Sequence, residues 1–209
     1  MARAHPLRRR SSDQTRAPVL TGILLAAGSA QRYGSQKMLA RLPDGRYVVE
    51  ASAANLLAAT GRVIAVTGRE ERLMRVLDDC GCQVVVNDRA LEGMGTSIAA
   101  GVRATQIDNP DGWLVALGDM PYLQVATIIA LRDQLIAAGG IVIPEYRQQR
   151  GHPVGFGREY GASLMALQGD SGARSVIAAA LAADPQAVQR LAVDDAGVLA
   201  DIDTLADLR

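Results

Sequence analysis

The sequence predicts a single α/β domain, a mostly parallel sheet sandwiched between two helical layers, and three observations predict it. Short apolar runs alternate with Ala- and Leu-rich stretches over residues 19–144, the rhythm of strand–helix–strand units with right-handed crossovers. The first run, residues 19–25, is apolar at nearly every position rather than at every second one, as in a strand covered on both faces. The chemistry-bearing motifs each follow such a run, and open parallel sheets bind their ligands beyond the carboxyl ends of the strands. At 209 residues the chain is long enough to bury one full core.

The elements follow in order. Pro18 and a glycine loop bound the first strand, residues 19–25, and Pro43-Asp44-Gly45-Arg46 is a turn. A helix is expected over residues 48–59, stopping before Gly61, then a strand over 62–67, a helix over 69–79 and a strand over 83–86. A loop from Asn87 to Met94 leads to a helix from Gly95 to about Gln106. Residues 113–117 form the fourth strand, 125–138 an apolar helix and 141–144 the fifth strand. After Gly151 the rhythm changes. Residues 152–156, 188–193 and 198–202 look extended, and 158–167 and 172–183 look helical. This last third is expected to fold over the open edge of the sheet. Neither an internal repeat nor a linker interrupts residues 19–209.

Composition narrows the function. The core must be built from Ala, Val, Leu and Ile, because aromatic residues are only 3% of the chain. Residues 1–18 carry five arginines against one acid, Asp13, and no apolar segment, which reads as a disordered tail rather than a secretory leader. The remainder holds 17 basic against 21 acidic residues, a mildly acidic body that argues against nucleic-acid binding. No apolar run approaches membrane-spanning length. Cys80 and Cys82 form one C-x-C pair, too little for a zinc site or a disulfide framework, so a reduced, cytoplasmic protein is expected.

One lysine stands among 22 Lys and Arg residues. Lys37 closes the loop that follows the first strand, and Arg32 lies within it. A lysine supplies a compact ammonium that can enter a narrow phosphate pocket, whereas arginine supplies a planar fork. The loop matches neither G-x-G-x-x-G nor the Walker pattern, yet its glycines let backbone N–H groups approach an anion. Asp119, in Gly118-Asp119-Met120-Pro121, follows the fourth strand. It is placed either to hold Mg²⁺ opposite a phosphate loop or to cap a turn. In Asp201-Ile202-Asp203-Thr204 the two carboxylates share a face of an extended segment, and one of them is a second candidate ligand; helix capping is the alternative. Gly93-Met94-Gly95-Thr96-Ser97 combines small residues that admit a flat base with two hydroxyls, or is simply a glycine-rich helix start. His152, within Gly151-His152-Pro153, is a ligand contact or a structural histidine. Gly169-Asp170-Ser171-Gly172-Ala173-Arg174 is a second anion loop at a helix start or a capped turn.

Taken in order, these motifs resemble the MobA-like nucleotidyltransferases, and molybdenum cofactor cytidylyltransferases most closely, over residues 19–207. The resemblance implies a Rossmann-like sheet of the nucleotide-diphospho-sugar transferase type and Mg²⁺-dependent transfer of a nucleoside monophosphate from an NTP to a phosphorylated acceptor, releasing pyrophosphate. It implies that Leu25, Ala26, Ala27, Gly28, Arg32 and Lys37 hold the nucleotide and its triphosphate. Gly93, Met94 and Ser97 would line the base and ribose pocket, Asp119 and Asp203 would hold Mg²⁺, and His152, Asp170 and Arg174 would face the acceptor. Arg32, Lys37 and Asp119 would carry catalysis. Guanylyltransferase relatives tend to have Leu-Ala-Gly-Gly in the first loop and an aspartate before the lysine. Here Ala27 and Gln36 occupy those places, so CTP is the expected nucleotide and molybdopterin the expected acceptor, with a molybdoenzyme or its chaperone as a downstream partner. Guanylyl transfer, transfer to a sugar phosphate, and a silent nucleotide-binding module are the alternatives.

Overall fold

The computed structural model describes residues 18–27, 37–204 and 207–208. The expected Arg-rich tail, apart from Pro18, and most of the first loop, including Gly28 and Arg32, lie outside the described residues. In chain order the elements are β1 (Leu20–Ala26), α1 (Val48–Thr60), β2 (Val63–Thr67), α2 (Glu71–Asp79), β3 (Gln83–Val86), α3 (Met94–Ala104), β4 (Gly112–Leu117), α4 (Val125–Ala138), β5 (Ile141–Tyr146), β6 (Gln149–Arg150), β7 (Val154–Gly157), α5 (Gly161–Met165), α6 (Arg174–Ala183) and β8 (Val188–Ala192).

One sheet takes in all eight strands in the order β3-β2-β1-β4-β7-β5-β6, and β8 pairs with β5. β1 pairs in parallel with β2 and β4, as do β2 with β3 and β5 with β8, whereas β7 and β6 run antiparallel to their neighbours. The mixed, mostly parallel, three-layer sheet is the architecture expected. Every residue of β1 is buried because helices cover both faces. Leu20 and Leu24 join Leu56 of α1, Leu77 of α2 and Leu131 of α4 in one core. Ile23 and Leu25 join Ile98 of α3, Leu164 of α5 and Val176 of α6 in the other. Two glycines set the distances between layers. A Cβ on Gly22 would fall 2.7 Å from Leu56 Cγ, and one on Gly101 would fall 2.7 Å from Ile23 Cγ2. Any side chain there would push a helix off the sheet.

Two expectations are corrected. The last third does not fold over the edge: β7 enters the sheet between β4 and β5, reached through a hairpin whose Arg147 and Gln148 have φ of 48° and 65°. Residues 198–202 are not a continuous extended strand either. Ala196–Leu199 is a 3₁₀ turn, because the carboxylate of buried Asp195 accepts from Gly197 N–H at 2.8 Å, a local bond that competes with strand pairing. The second oxygen of Asp195 accepts from Gln124 N–H at 3.0 Å and ties that turn to the start of α4. Cys82 is buried in the core, and burial pushes its thiol up to about 12. Among the described residues no helix is long and apolar enough to cross a membrane.

Candidate active site

β1 and β4 end side by side, with Leu25 opposite Leu117. Gly118 N–H then donates to Leu25 O at 2.9 Å, which carries the pairing one residue further and delivers Asp119 beside the end of β1. The C-terminal segment closes on the same point. Ile202 N–H donates to Asp119 O at 2.9 Å, and His152 N–H donates to Val198 O at 2.9 Å. Ile202 is buried, while Asp201 and Asp203 flank it in exposed positions. The expected alternation of these two acids about a buried isoleucine therefore survives without a regular strand.

A cavity of about 340 Å³ opens beyond these strand ends. Leu25, Ala27, Lys37, Met94, Ser97, Asp119, Asp170, Asp201 and Asp203 all line it. Six elements far apart in sequence are thus brought to one place. Ala26 lies within β1 in the core. Gly93, at φ 121°, is pressed against the backbone of Gly169 and Asp170. Arg174 opens α6 outside the cavity lining, close enough for its charge to reach His152. His152 lies outside the cavity lining, with Nδ1 buried and without a hydrogen-bond partner among the described residues. Burial pushes its pKa down; a backbone hydrogen bond to Val115 and the charges of Asp119 and Asp201 oppose that shift, and Arg174 adds to it.

Lys37 is the centre of the site. Its Nζ lies 2.9 Å from Asp119 Oδ2 and 3.2 Å from Asp203 Oδ1. Burial lowers the pKa of the ammonium, but the hydrogen bonds and charges of the two aspartates outweigh it, and the net value is raised. Lys37 therefore stays charged. The geometry suits a divalent ion as well. Asp119 Oδ1 is buried and has no hydrogen-bond partner among the described residues, so one hard oxygen is left over where a second carboxylate already faces it across a single cation. No group of three or more His, Cys, Asp or Glu among the described residues is placed to hold a metal alone. An ion here would complete its shell with phosphate oxygens and water, as Mg²⁺ does.

Sequence reasoning missed Met38, Ala90 and Leu117, which also line the cavity, and it missed Asn87. Asn87 is the first polar residue after β3, at the carboxyl end of the sheet, and that position was its signal. Its backbone N–H donates to Thr67 O of β2 at 2.8 Å, while its buried side-chain amide ties the following turn to the start of α3.

A family model described as the MobA-like NTP transferase domain matches residues 22–187. The purine catabolism protein PucB of Bacillus subtilis is 28% identical over 200 residues, which cover 90% of this chain and 94% of PucB. The nicotine blue oxidoreductase of Paenarthrobacter nicotinovorans is 29% identical over 201 residues, 91% of this chain and 95% of its own. Among solved structures, Rv0371c of Mycobacterium tuberculosis H37Rv superposes with a TM-score of 0.73 at 30% identity, covering 92% of this chain and 96% of that one. Rv0371c has also been crystallised in complex with manganese.

Proposed function

Because the chain belongs to the family of MobA-like NTP transferase domains, nucleotidyl transfer is its chemistry, and we propose that it moves CMP from CTP to molybdopterin with release of pyrophosphate. The observation that carries this reading is the ammonium of Lys37 held between Asp119 and Asp203 at the ends of β1 and β4, beside an unpartnered carboxylate oxygen. The acceptor's terminal phosphate oxygen attacks the α-phosphorus of the NTP. A new P–O bond forms, the bond to the β-phosphate's bridging oxygen breaks, and pyrophosphate leaves with that electron pair. No protein nucleophile is required; alignment and charge neutralisation do the catalysis. Lys37 supplies a point charge to the triphosphate. Asp119 and Asp203 would hold a divalent metal, and the chemistry it supplies when bound is further neutralisation of phosphate charge. That Rv0371c takes up manganese favours such an ion; Mg²⁺ is the one proposed.

The choice of CTP rests on the first loop, where Ala27 and Gln36 replace the glycine and aspartate of guanylyltransferase relatives. The acceptor side is assigned to Asp170, which lines the cavity, together with His152 and Arg174 outside the lining. The test is pyrophosphate release with CTP, GTP, UTP and ATP, each against molybdopterin and a sugar phosphate. Oxidation of NADPH is followed in parallel, since one relative is named an oxidoreductase. CTP with molybdopterin is expected to give the highest kcat/KM. Equal rates with GTP would remove the cytidylyl assignment. Pyrophosphate release with no acceptor but a sugar phosphate would remove molybdopterin.

A further inference from the structure

Seven of the described arginines each meet a carboxylate. Arg41 and Arg72 do not. Among the described residues neither has an acidic partner, and both turn to Tyr47 instead. The Tyr47 hydroxyl accepts from Arg41 Nη2 and from Arg72 Nη2, each at 2.9 Å. The two guanidiniums also approach the ring, with Cζ atoms 4.3 Å and 5.6 Å from its centroid. Two neighbouring acids are engaged by the backbone: Glu50 Oε2 accepts from Tyr47 N–H at 3.0 Å, and Glu70 Oε1 from Arg72 N–H at 3.2 Å. Two like charges are thus gathered on one oxygen, an arrangement that costs energy until an anion joins it. The phenol registers that field. The hydrogen bond from Arg72, above all, pulls its pKa below the ordinary value.

α1 and α2 each carry the chain from one parallel strand back to the start of the next. Their first residues therefore lie at the carboxyl edge of the sheet, the edge at which the cavity opens. Tyr47 is the N-cap of α1, and Arg72 stands in the first turn of α2, so two helix dipoles add their positive ends. None of the three side chains lines the cavity. We propose that Arg41, Tyr47 and Arg72 form a second phosphate site, outside the cavity and on the same edge of the sheet. Each Nη2 lies 2.9 Å from the same oxygen, so the two nitrogens are at most twice that far apart. One phosphate group, taking an N–H on each of two oxygens, bridges such a gap. A guanidinium has five N–H donors. Arg72 spends one on Tyr47, and Arg41 spends one there and one on Gly45 O, so donors remain for the ligand. The ligand is either a free phosphate or pyrophosphate ion or the phosphate of a larger metabolite. The site does not depend on the nucleotide reading above.

The test reads the arginines directly. Wild type in EDTA is treated with phenylglyoxal, which modifies guanidinium groups, with and without pyrophosphate or ribose 5-phosphate. Peptide mass spectrometry follows Arg41, Arg72 and Arg75. Arg75, exposed three residues further along α2, is the control for general ion effects. At least one of the two anions is expected to slow modification of Arg41 and Arg72 threefold or more and to leave Arg75 unchanged. The stronger protector tells a free ion from a carried phosphate. Arg72→Gln should abolish protection of Arg41, because the two guanidiniums share one ligand, whereas Arg75→Gln should preserve it. Protection of Arg41 that survives in Arg72→Gln overturns the site, as does equal slowing at all three arginines or slowing at none. If the reagent does not reach the pair, equilibrium dialysis with labelled pyrophosphate decides. The double variant Arg41→Gln, Arg72→Gln should then bind one fewer pyrophosphate per chain than wild type, and an equal number overturns the proposal. Melting temperature verifies that each variant is folded.

Discussion

Lys37 sits where a cation belongs, and that position makes it testable in two ways. Arginine keeps the charge but replaces a point donor with a fork too broad for the gap between Asp119 and Asp203, so Lys37→Arg should lose at least ~10-fold in kcat/KM, about 1.4 kcal/mol of transition-state stabilisation. Wild-type turnover in that variant would show that only charge is needed. The ammonium also competes with a metal for the same two carboxylates. Lys37→Met should therefore tighten Mn²⁺ binding to the nucleotide-free protein by about tenfold, roughly 1.4 kcal/mol, read from the EPR signal of free Mn²⁺. Weaker binding would show that the lysine and the ion do not share the site. Asp119→Asn and Asp203→Asn should each abolish metal-dependent transfer while leaving the fold intact, and Asp201→Asn should be milder, because Asp203 and not Asp201 meets Lys37. His152 gives a pH signature. Its folded pKa is depressed below 6.5, first by burial, so its contribution is neutral above the unfolded value and becomes a penalty as pH falls through that value toward the folded one. Melting temperature should drop across that window in wild type and flatten in His152→Gln.

Most of the residues that line the cavity stood out in the sequence, because phosphate and metal chemistry would demand particular groups: an isolated lysine, a carboxylate after a strand, a pair of alternating acids. Asn87 did not, because its side-chain amide meets Thr96 and Ser97 rather than the cavity itself, and an asparagine in a loop has many other uses. The elements show the same division. β3 and α4 begin and end where periodicity places them, since a run of valines and a long apolar helix leave little choice. The 3₁₀ turn at Ala196–Leu199 escaped because it is set by one aspartate carboxylate rather than by a pattern. The insertion of β7 between β4 and β5 escaped because strand order is a matter of distant pairing, which local sequence does not encode. At the loop contacts, Gly95 N–H donates to Gly169 O at 2.9 Å, and a Cβ on Gly95 would fall 2.9 Å from the carbonyls of both Gln168 and Gly169. This backbone-on-backbone seam joins the proposed base loop to the proposed acceptor loop. Gly95→Ala should cost on the order of 1–3 kcal/mol by overpacking, seen as a lower melting temperature. An unchanged melting temperature would mean that the seam yields freely.

Among the described residues, the two hydrophobic layers are built from residues between Leu20 and Val198, and a small third cluster gathers Leu42, Val48, Ala51 and Ile202. Removing residues 1–18 is therefore expected to leave melting temperature and turnover unchanged, and a drop of several degrees would show that the tail contributes to the fold. The two layers pack against both faces of the sheet, and the cavity lies at its carboxyl edge, where open α/β sheets usually bind their ligands. The measurement that bears most directly on transfer at this edge follows the α-phosphorus itself. CTP labelled at that atom is incubated with molybdopterin and Mg²⁺, using wild type and Asp119→Asn. With wild type the label should pass to the acceptor, with one unlabelled pyrophosphate released per label transferred, and with Asp119→Asn it should stay in CTP. Label that never reaches the acceptor, or that reaches it equally well without the Asp119 carboxylate, would contradict the account.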